Sequence, residues 1–190
     1  MTERFLKIII LILLSALILY PYEMEIDIDL QMEIFIKMLY YEKKMTKRID
    51  QNITFGIIYQ EKVMASRSQK ERITEFFQNS TKKSVKHLAI KHHSIPFASL
   101  TGLENDLKKL HIDILYITEL RAVDIKEILR LCRKHRILSI SGITDYIDEG
   151  VSASITLRKK RPLLVINLES VAAEGAEFSS NLLKISKVIR

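Results

Sequence analysis

The chain has 190 residues, of which 47% are hydrophobic and 28% are charged, and its formal net charge is +7 at neutral pH. This balance excludes a disordered chain and is typical of one globular domain with its own core. A basic surplus suits nucleic acid or an anionic membrane, but no nucleic-acid-binding motif accompanies the scattered basic residues, so nucleic acid is not a predicted partner.

The N-terminal stretch MTERFLKIIILILLSALILYPY begins with two basic residues, and an apolar run from Ile8 to Leu14 then resumes up to Tyr20. Roughly 13 apolar residues behind a basic start are typical of a secretory signal, whereas a spanning helix needs about 20. No clean small-x-small cleavage site precedes Pro21, so a signal peptide and an uncleaved anchor both remain open. We therefore predict an export segment, residues 1–22, and an exported domain, residues 23–190.

The first helix after the leader is predicted from IDLQMEIFIKMLYYEKKMTKR. Helical spacing places Leu30, Ile34, Met38 and Tyr41 on one stripe, with Phe35 and Leu39 beside it. This stripe is expected to face the core.

Four β-rich segments then alternate with three amphipathic helices. The strands are predicted at ITFGIIY, VKHLAIKHHSI, DILYIT and ILSISG. The helix after the first strand carries Ile73, Phe76 and Phe77, and Ser66 or Ser68 could cap its start. The apolar residues of the next helix are Leu103, Leu107 and Leu110. The third helix contains the single cysteine, Cys132, which we interpret as a buried, inert thiol.

The end of the chain departs from this alternation. Two strands, about Val151 to Leu157 and Leu163 to Leu168, flank the turn RKKRP and are predicted to pair antiparallel at one edge of the sheet. A short helix then ends at Gly175, which can adopt the left-handed conformation. Ser179 or Ser180 can cap a last helix. That helix would present Leu182, Ile185 and Ile189 on one side.

Strands that alternate with helices indicate βαβ units and a parallel sheet covered on both faces. The predicted fold class is therefore α/β: a single domain of three layers with a mainly parallel sheet of about five to six strands. An antiparallel edge pair and a C-terminal helix pair complete it.

The C-terminal stretch INLESVAAEGAEFSSNLLKISKVI resembles the closing signature of the YfiR/HmsC-like periplasmic proteins. In that family a strand ending in IN leads to a small-residue helix, a glycine, and then SS-x-LL-K-hydrophobic. The matching positions are Ile166, Asn167, Gly175, Ser179, Ser180, Leu182, Leu183 and Lys184. The segments ILSISGITDYIDEGVSASITL and TFGIIY resemble upstream family strands, so the similarity covers residues 28 to 190. The chain departs from the best-known branch in having no Trp and one Cys.

The resemblance implies a periplasmic inhibitor that binds the sensory domain of an inner-membrane diguanylate cyclase, lowers cyclic-di-GMP and restrains biofilm formation. It leaves open which protein is the partner and whether the protein forms a homodimer. It implies contact with a membrane only through the N-terminal segment, if that segment is uncleaved.

A second function is open to the same fold: a periplasmic solute-binding-like module that holds a small ligand where the parallel strands end. The residues available at these strand ends are Tyr59, Gln60, Thr118, Glu119, Ser141 and Gly142.

Catalytic and metal-binding patterns are absent from the sequence. His87, His92 and His93 lie on one predicted strand, where His87 and His93 share a face and His92 points the other way. The three cannot meet at one metal without a bend in the strand. TDYIDEG lacks the glycine and the alternating oxygens of a calcium loop, and no P-loop, G-x-S-x-G or G-x-G-x-x-G occurs. We therefore predict a non-enzyme with no catalytic residue, cofactor or metal.

The loop GITDYIDEG, after the fourth strand, is the predicted partner-binding site. It carries Ile143, Tyr146 and Ile147 among acidic residues, and protein interfaces draw their energy from a few such apolar anchors. The alternative is that these three side chains plug the end of the sheet.

Overall fold

The structure is a computed structural model that describes residues 26–49, 51–81 and 83–190. The predicted export segment, residues 1–22, therefore lies outside the described residues. Along the described chain, no helix has the length and apolar character needed to cross a bilayer.

Strands and helices alternate over most of the described chain. The strands are β1 (Asn52–Tyr59), β2 (Ser84–Val85), β3 (Leu88–Pro96), β4 (Ile114–Ile117), β5 (Leu138–Ser141), β6 (Ala153–Arg158), β7 (Arg161–Asn167) and β8 (Lys187–Ile189). The helices are α1 (Ile28–Leu39), α2 (Met45–Arg48), α3 (Met64–Asn79), α4 (Leu100–Lys109), α5 (Ile125–His135), α6 (Leu168–Ala173) and α7 (Ser180–Ile185), with a 3-10 helix at Thr144–Ile147.

All eight strands belong to one sheet in the order β2-β3-β1-β4-β5-β6-β7-β8. The five strands from β3 to β6 in this order run parallel, and β7 pairs antiparallel with β6. The predicted fold class is confirmed. The sheet has eight strands rather than five or six, because β2 and β8 are only two and three residues long and show no readable period. β8 also pairs with β7, so the antiparallel pair is not itself the edge.

Helices cover both faces of the sheet. One core packs α1, α3, α6 and α7 against it, and a second core packs α4 and α5 against the opposite face. In the first core the Phe35 ring meets the Tyr116 ring edge-on with 6.1 Å between centroids. The Phe55 and Phe77 rings lie 5.0 Å apart. The three-layer arrangement follows from these two cores.

The direction of the crossovers reverses between β1 and β4. From β1 the chain passes through α3 to β3 on one side, and from β3 it passes through α4 to β4 on the other. Ligands of such sheets bind in the crevice outside the carboxyl ends of the strands at this point. We call the side of the sheet where β1, β4, β5 and β6 end the carboxyl edge, and the opposite side the amino edge.

The stripe predicted on the first helix is wrong in part. Leu30 and Tyr41 are both 42% exposed, whereas Met32, Phe35 and Ile36 are fully buried. Helix α1 is apolar around most of its circumference, so its period alone does not select the face that packs on the sheet.

Two further details of the helices differ from the prediction. Helix α3 begins at Met64 with no side-chain cap, so neither predicted serine caps it. His87 lies in the turn between β2 and β3 with φ 70°, so it is not on a strand face with His93.

The C-terminal helix pair is confirmed. Gly175 has φ 78°, and the Ser179 side chain caps α7 at Leu182. The predicted face of the last helix is wrong beyond Leu182, however, because Ile185 is 71% exposed and Ile189 belongs to β8.

Candidate functional site

Hydrogen bonds within the protein bridge the crevice between β1 and β4, where the direction of the crossovers reverses. The Gln60 Oε1 atom accepts a hydrogen bond from the Arg121 backbone N–H at 2.7 Å. The Gln60 Nε2 atom donates to the Arg121 carbonyl at 3.0 Å. The loops that follow β1 and β4 are therefore tied together across the mouth of the crevice.

The polar groups beneath this bridge are also paired. The Ser66 hydroxyl accepts from the Gln60 N–H at 2.9 Å and bonds to the Thr118 hydroxyl at 2.6 Å. The Thr118 hydroxyl donates to the Ile58 carbonyl at 2.8 Å. From α3, the Gln69 side chain accepts from the Glu119 N–H at 2.8 Å. These groups stabilise the loops and are already engaged within the protein.

Helix α1 fills the carboxyl edge beside β5. The buried Gln31 amide accepts from the Tyr116 hydroxyl at 2.8 Å and donates to the Ile26 carbonyl at 2.6 Å. A Cβ atom at Gly142 would lie 1.9 Å from Gln31 Oε1 and 2.7 Å from the Tyr116 hydroxyl. A larger residue here would therefore displace Gln31 from its bond to Tyr116.

The structure brings together the residues that the sequence offered for a small ligand, all at the carboxyl edge. The Tyr59 hydroxyl donates to Glu61 at 2.7 Å, and the Ser141 hydroxyl donates to the Ile117 carbonyl at 2.7 Å. These polar groups are therefore hydrogen-bonded within the protein, and α1 covers the region beside β5.

The predicted partner-binding loop forms the 3-10 helix and packs on the second core. Ile147 is 6% exposed and belongs to the buried set, whereas Ile143 and Tyr146 are half-buried. The Tyr146 hydroxyl accepts from the Leu120 N–H at 2.9 Å, and burial raises the pKa of this hydroxyl. Partner binding by this loop stays a prediction, and the surface it can offer is the outer part of Ile143 and Tyr146.

A second apolar surface lies on the outward side of α1. Leu30 and Ile34 lie one turn apart on α1, and Tyr41 lies in the turn that follows the helix. Leu30 and Tyr41 are exposed and Ile34 is half-buried. We call these three residues the α1 outer face. Sequence reasoning found the stripe but assigned it to the core.

The end of α1 is fixed to the C-terminal segment. The buried Glu42 carboxylate accepts from the Lys44 and Glu177 N–H groups, both at 2.9 Å. Lys43 forms an ion pair with Glu177 at 2.9 Å, and the Ser179 N–H donates to the Tyr41 carbonyl at 2.9 Å. The turn that carries Tyr41 is thus fixed to the C-terminal segment.

A buried carboxylate, Glu174, joins the C-terminal segment to the sheet. It accepts from the Ser139 N–H at 2.8 Å, the Ser139 hydroxyl at 2.6 Å and the Ser152 hydroxyl at 2.5 Å. Burial raises the pKa of Glu174 to about 7, and the serine donors and Arg133 oppose this shift. Sequence reasoning missed this residue, because its partners lie far away along the chain.

The histidines do not converge on one point. The His92 ring stacks on Phe77 with 5.0 Å between centroids, and burial lowers the pKa of His92, assisted by His93 and Lys83. Among the described residues, no group of three or more His, Cys, Asp or Glu side chains is placed to hold a metal. Cys132 is buried, and burial raises the pKa of its thiol.

The YfiR/HmsC-like family profile matches residues 63–187, about two thirds of the chain. The protein belongs to the YfiR/HmsC-like family. Membership confirms the resemblance seen in the closing motif, and it supports a periplasmic protein with a regulatory role. No curated protein matches this chain in sequence.

Solved structures share the fold of this YfiR/HmsC-like protein. An ABC domain from Streptococcus pneumonia in complex with L-Trp has a TM-score of 0.57 and 13% identity; the match covers 85% of this chain and 62% of that one. A conserved domain protein from Vibrio cholerae has a TM-score of 0.59 and 12% identity, with coverage of 86% and 60%.

A third similar structure is the ligand-free, open form of a substrate-binding protein with adhesive properties from Clostridium difficile. Its TM-score is 0.55 and its identity 14%, with coverage of 77% of this chain and 58% of that one. This chain therefore spans only about three fifths of each of these proteins. At such identities the likeness concerns the fold alone.

Proposed function

We propose that this protein is an exported regulator that binds the periplasmic sensory part of an inner-membrane diguanylate cyclase and restrains it. Such binding would lower cyclic-di-GMP and limit biofilm formation. The cyclase as partner rests on the family resemblance. The structure contributes a surface with which a regulator of this kind can bind.

The observation that carries the proposal is the α1 outer face. Two large side chains are exposed, Leu30 in the first turn of α1 and Tyr41 in the turn after the helix, and Tyr40, next to Tyr41, is 47% exposed. Binding interfaces concentrate their energy in a few aromatic or aliphatic anchors. Because the contacts of Gln31 and Glu42 fix both ends of α1, little ordering of this helix would be needed on binding.

The pairing of the strand-end side chains weighs against the solute-binding alternative. A ligand pocket needs a few convergent polar groups that are available to the ligand. Here Gln60 bonds to Arg121 and Thr118 bonds to Ser66. A ligand in the crevice would have to replace these bonds.

The test replaces the two exposed residues of the α1 outer face, Leu30 and Tyr41, by glutamine. Leu30→Gln with Tyr41→Gln should melt close to the wild-type temperature, because both side chains are exposed. In the native bacterium this variant should raise cyclic-di-GMP as far as deletion of the gene does. Ile185→Gln, which changes an exposed apolar residue at the far end of α7, is the matched control and should leave cyclic-di-GMP at its wild-type level.

Three outcomes would count against parts of the proposal. A stable variant with normal cyclic-di-GMP, in a strain where the deletion raises it, removes the α1 outer face as the contact surface. Ile143→Gln then tests the loop in the same assay. If the deletion itself changes nothing, the cyclase is not the target. A small molecule that co-purifies with the protein and is seen by native mass measurement would favour the solute-binding alternative.

A further inference from the structure

The hairpin formed by β6 and β7 ends in four consecutive basic residues, Arg158 to Arg161. All four are exposed. None of the four side chains forms an ion pair or a hydrogen bond with another described residue. We call these four residues the basic tip.

The turn at the basic tip uses residues that its backbone disfavours. Lys159 and Lys160 are the two turn residues, with φ of 51° and 63°. A two-residue hairpin turn with positive φ at both positions strongly favours Asn-Gly or Gly-Gly, and a side chain with a Cβ is strained there. Hairpin formation therefore does not explain two lysines at this place.

The hairpin extends beyond the rest of the sheet. The last residue pair of β5 and β6 is Ser141 with Ser154, so the β6 strand continues for four residues, or about 13 Å, past the end of β5. The parallel strand β8 pairs only with residues 165–167 at the base of the hairpin. The basic tip thus protrudes from the carboxyl edge.

Nearby acidic residues lie behind the basic tip. Asp145 and Asp148 belong to the loop of the 3-10 helix, whose Thr144 hydroxyl donates to the Ile155 carbonyl at 3.2 Å. Ile155 lies three residues, or about 10 Å, before Arg158. Among the described residues, neither aspartate forms an ion pair with a residue of the basic tip.

The domain begins at the same edge of the sheet. The first described residues, Ile26 and Asp27, lie beside α3, where Asp27 pairs with Arg72 at 2.6 Å. Met64, at the start of α3, is 77% exposed at this edge. The described chain therefore begins on the side toward which the basic tip projects. In the sequence, the apolar run that ends at Tyr20 precedes Ile26 by six residues.

We propose that the basic tip binds the anionic surface of a lipid membrane and turns the carboxyl edge toward the bilayer. Arginine guanidinium groups bind phosphate with two parallel hydrogen bonds, and lysines add charge. Each basic residue near an anionic bilayer raises partitioning about fivefold. This contact is separate from any made by the N-terminal segment, and it does not depend on the proposed cyclase partner.

The experiment uses the full chain with a reporter at the tip. Cys132 is the single cysteine and is buried, so Pro162→Cys adds the one accessible thiol, which is labelled with the environment-sensitive dye nitrobenzoxadiazole. The dye should shift to the blue on vesicles of phosphatidylcholine mixed equally with phosphatidylglycerol, and not on phosphatidylcholine alone. High salt should remove the shift. The same dye on Lys109→Cys at the amino edge should not respond.

Two matched variants separate charge from folding. Lys159→Asn with Lys160→Gly gives the turn its favoured residues, so the melting temperature should not fall. The vesicle concentration needed for half of the dye shift should nevertheless rise roughly thirtyfold, because two charges are lost. Lys47→Gln with Lys109→Gln removes two exposed charges at the amino edge and should leave that concentration unchanged.

The proposal is overturned if the tip dye shows no dependence on phosphatidylglycerol, or if the amino-edge dye shifts equally. It is also overturned if Lys159→Asn with Lys160→Gly binds as the parent does. If the basic tip binds an acidic protein and not a membrane, the response of the tip dye should not depend on phosphatidylglycerol.

Discussion

Glu174 shows how a single buried residue can make the stability of the whole domain depend on pH. Its carboxylate accepts three hydrogen bonds from Ser139 and Ser152, which favour the charged form. Burial favours the neutral form and outweighs them, so the pKa rises from 4.5 to about 7. The folded protein therefore binds a proton at Glu174 more tightly than the unfolded chain does.

The first prediction follows from the sign of this shift. Because the folded pKa is the higher one, the contribution of Glu174 to stability is full below about pH 4.5 and is lost as the pH rises to about 7. Between pH 5 and pH 8 the loss should be about 2–3 kcal/mol of unfolding free energy. In Glu174→Gln this loss should disappear, as measured by urea denaturation at both pH values.

The control for this prediction is Glu169→Gln, which changes an exposed glutamate on the neighbouring α6. Its pH dependence should match that of the wild type. An unchanged pH dependence in Glu174→Gln would mean that Glu174 stays ionised in the folded protein.

Among the secondary-structure elements, α7 shows how a short helix divides between core and surface. Leu182 is 4% exposed and belongs to the first core, while Ile185, one turn further on, is 71% exposed. The helix lasts only six residues, and the chain after Ser186 becomes strand β8. A helical stripe therefore cannot continue through the last residues.

The second prediction compares two identical substitutions on this helix. Leu182→Asp should lower the unfolding free energy by several kcal/mol, because an unpaired carboxylate would enter an apolar core. Ile185→Asp should change it by less than about 0.5 kcal/mol, since the side chain is mostly in solvent. Thermal or urea melts of the two variants provide the measurement, and equal melting points would show that the buried face is assigned wrongly.

On the scale of the whole molecule, the described residues form two cores, one on each face of the sheet. Their buried members begin at Ile28 in the first core and at Ile58 in the second. The start of α1 is fixed through Asp27 and Arg72, and through Gln31 and Tyr116. All of the named contacts join residues between Asp27 and Tyr116.

The third prediction concerns deletion of residues 1–22. The truncated protein should stay in the cytoplasm, remain soluble and melt cooperatively, because it keeps every described member of both cores. Cell fractionation and a thermal melt measure this. An insoluble truncated protein, together with a full chain that is equally cytoplasmic, would make the segment structural and would end the export interpretation.

The sequence by itself determined the order of elements and the class of sheet. Segments such as β4 are apolar throughout and buried at every residue, and the helices between the strands carry clear apolar periods. The closing motif with Gly175 also follows from sequence, because the left-handed conformation at a helix end is a local requirement. These features are readable because each depends on a residue and its near neighbours.

Only the tertiary structure decided which apolar surface of α1 is buried and whether the strand-end polar groups are available to a ligand. The contact that places α1, from Gln31 to Tyr116, joins residues 85 positions apart, and Glu174 meets Ser139 over 35 positions. Periodicity reports how one element divides into faces, but it does not report what packs on each face. The packing partners come from distant parts of the chain, and the free energy of the whole fold selects them.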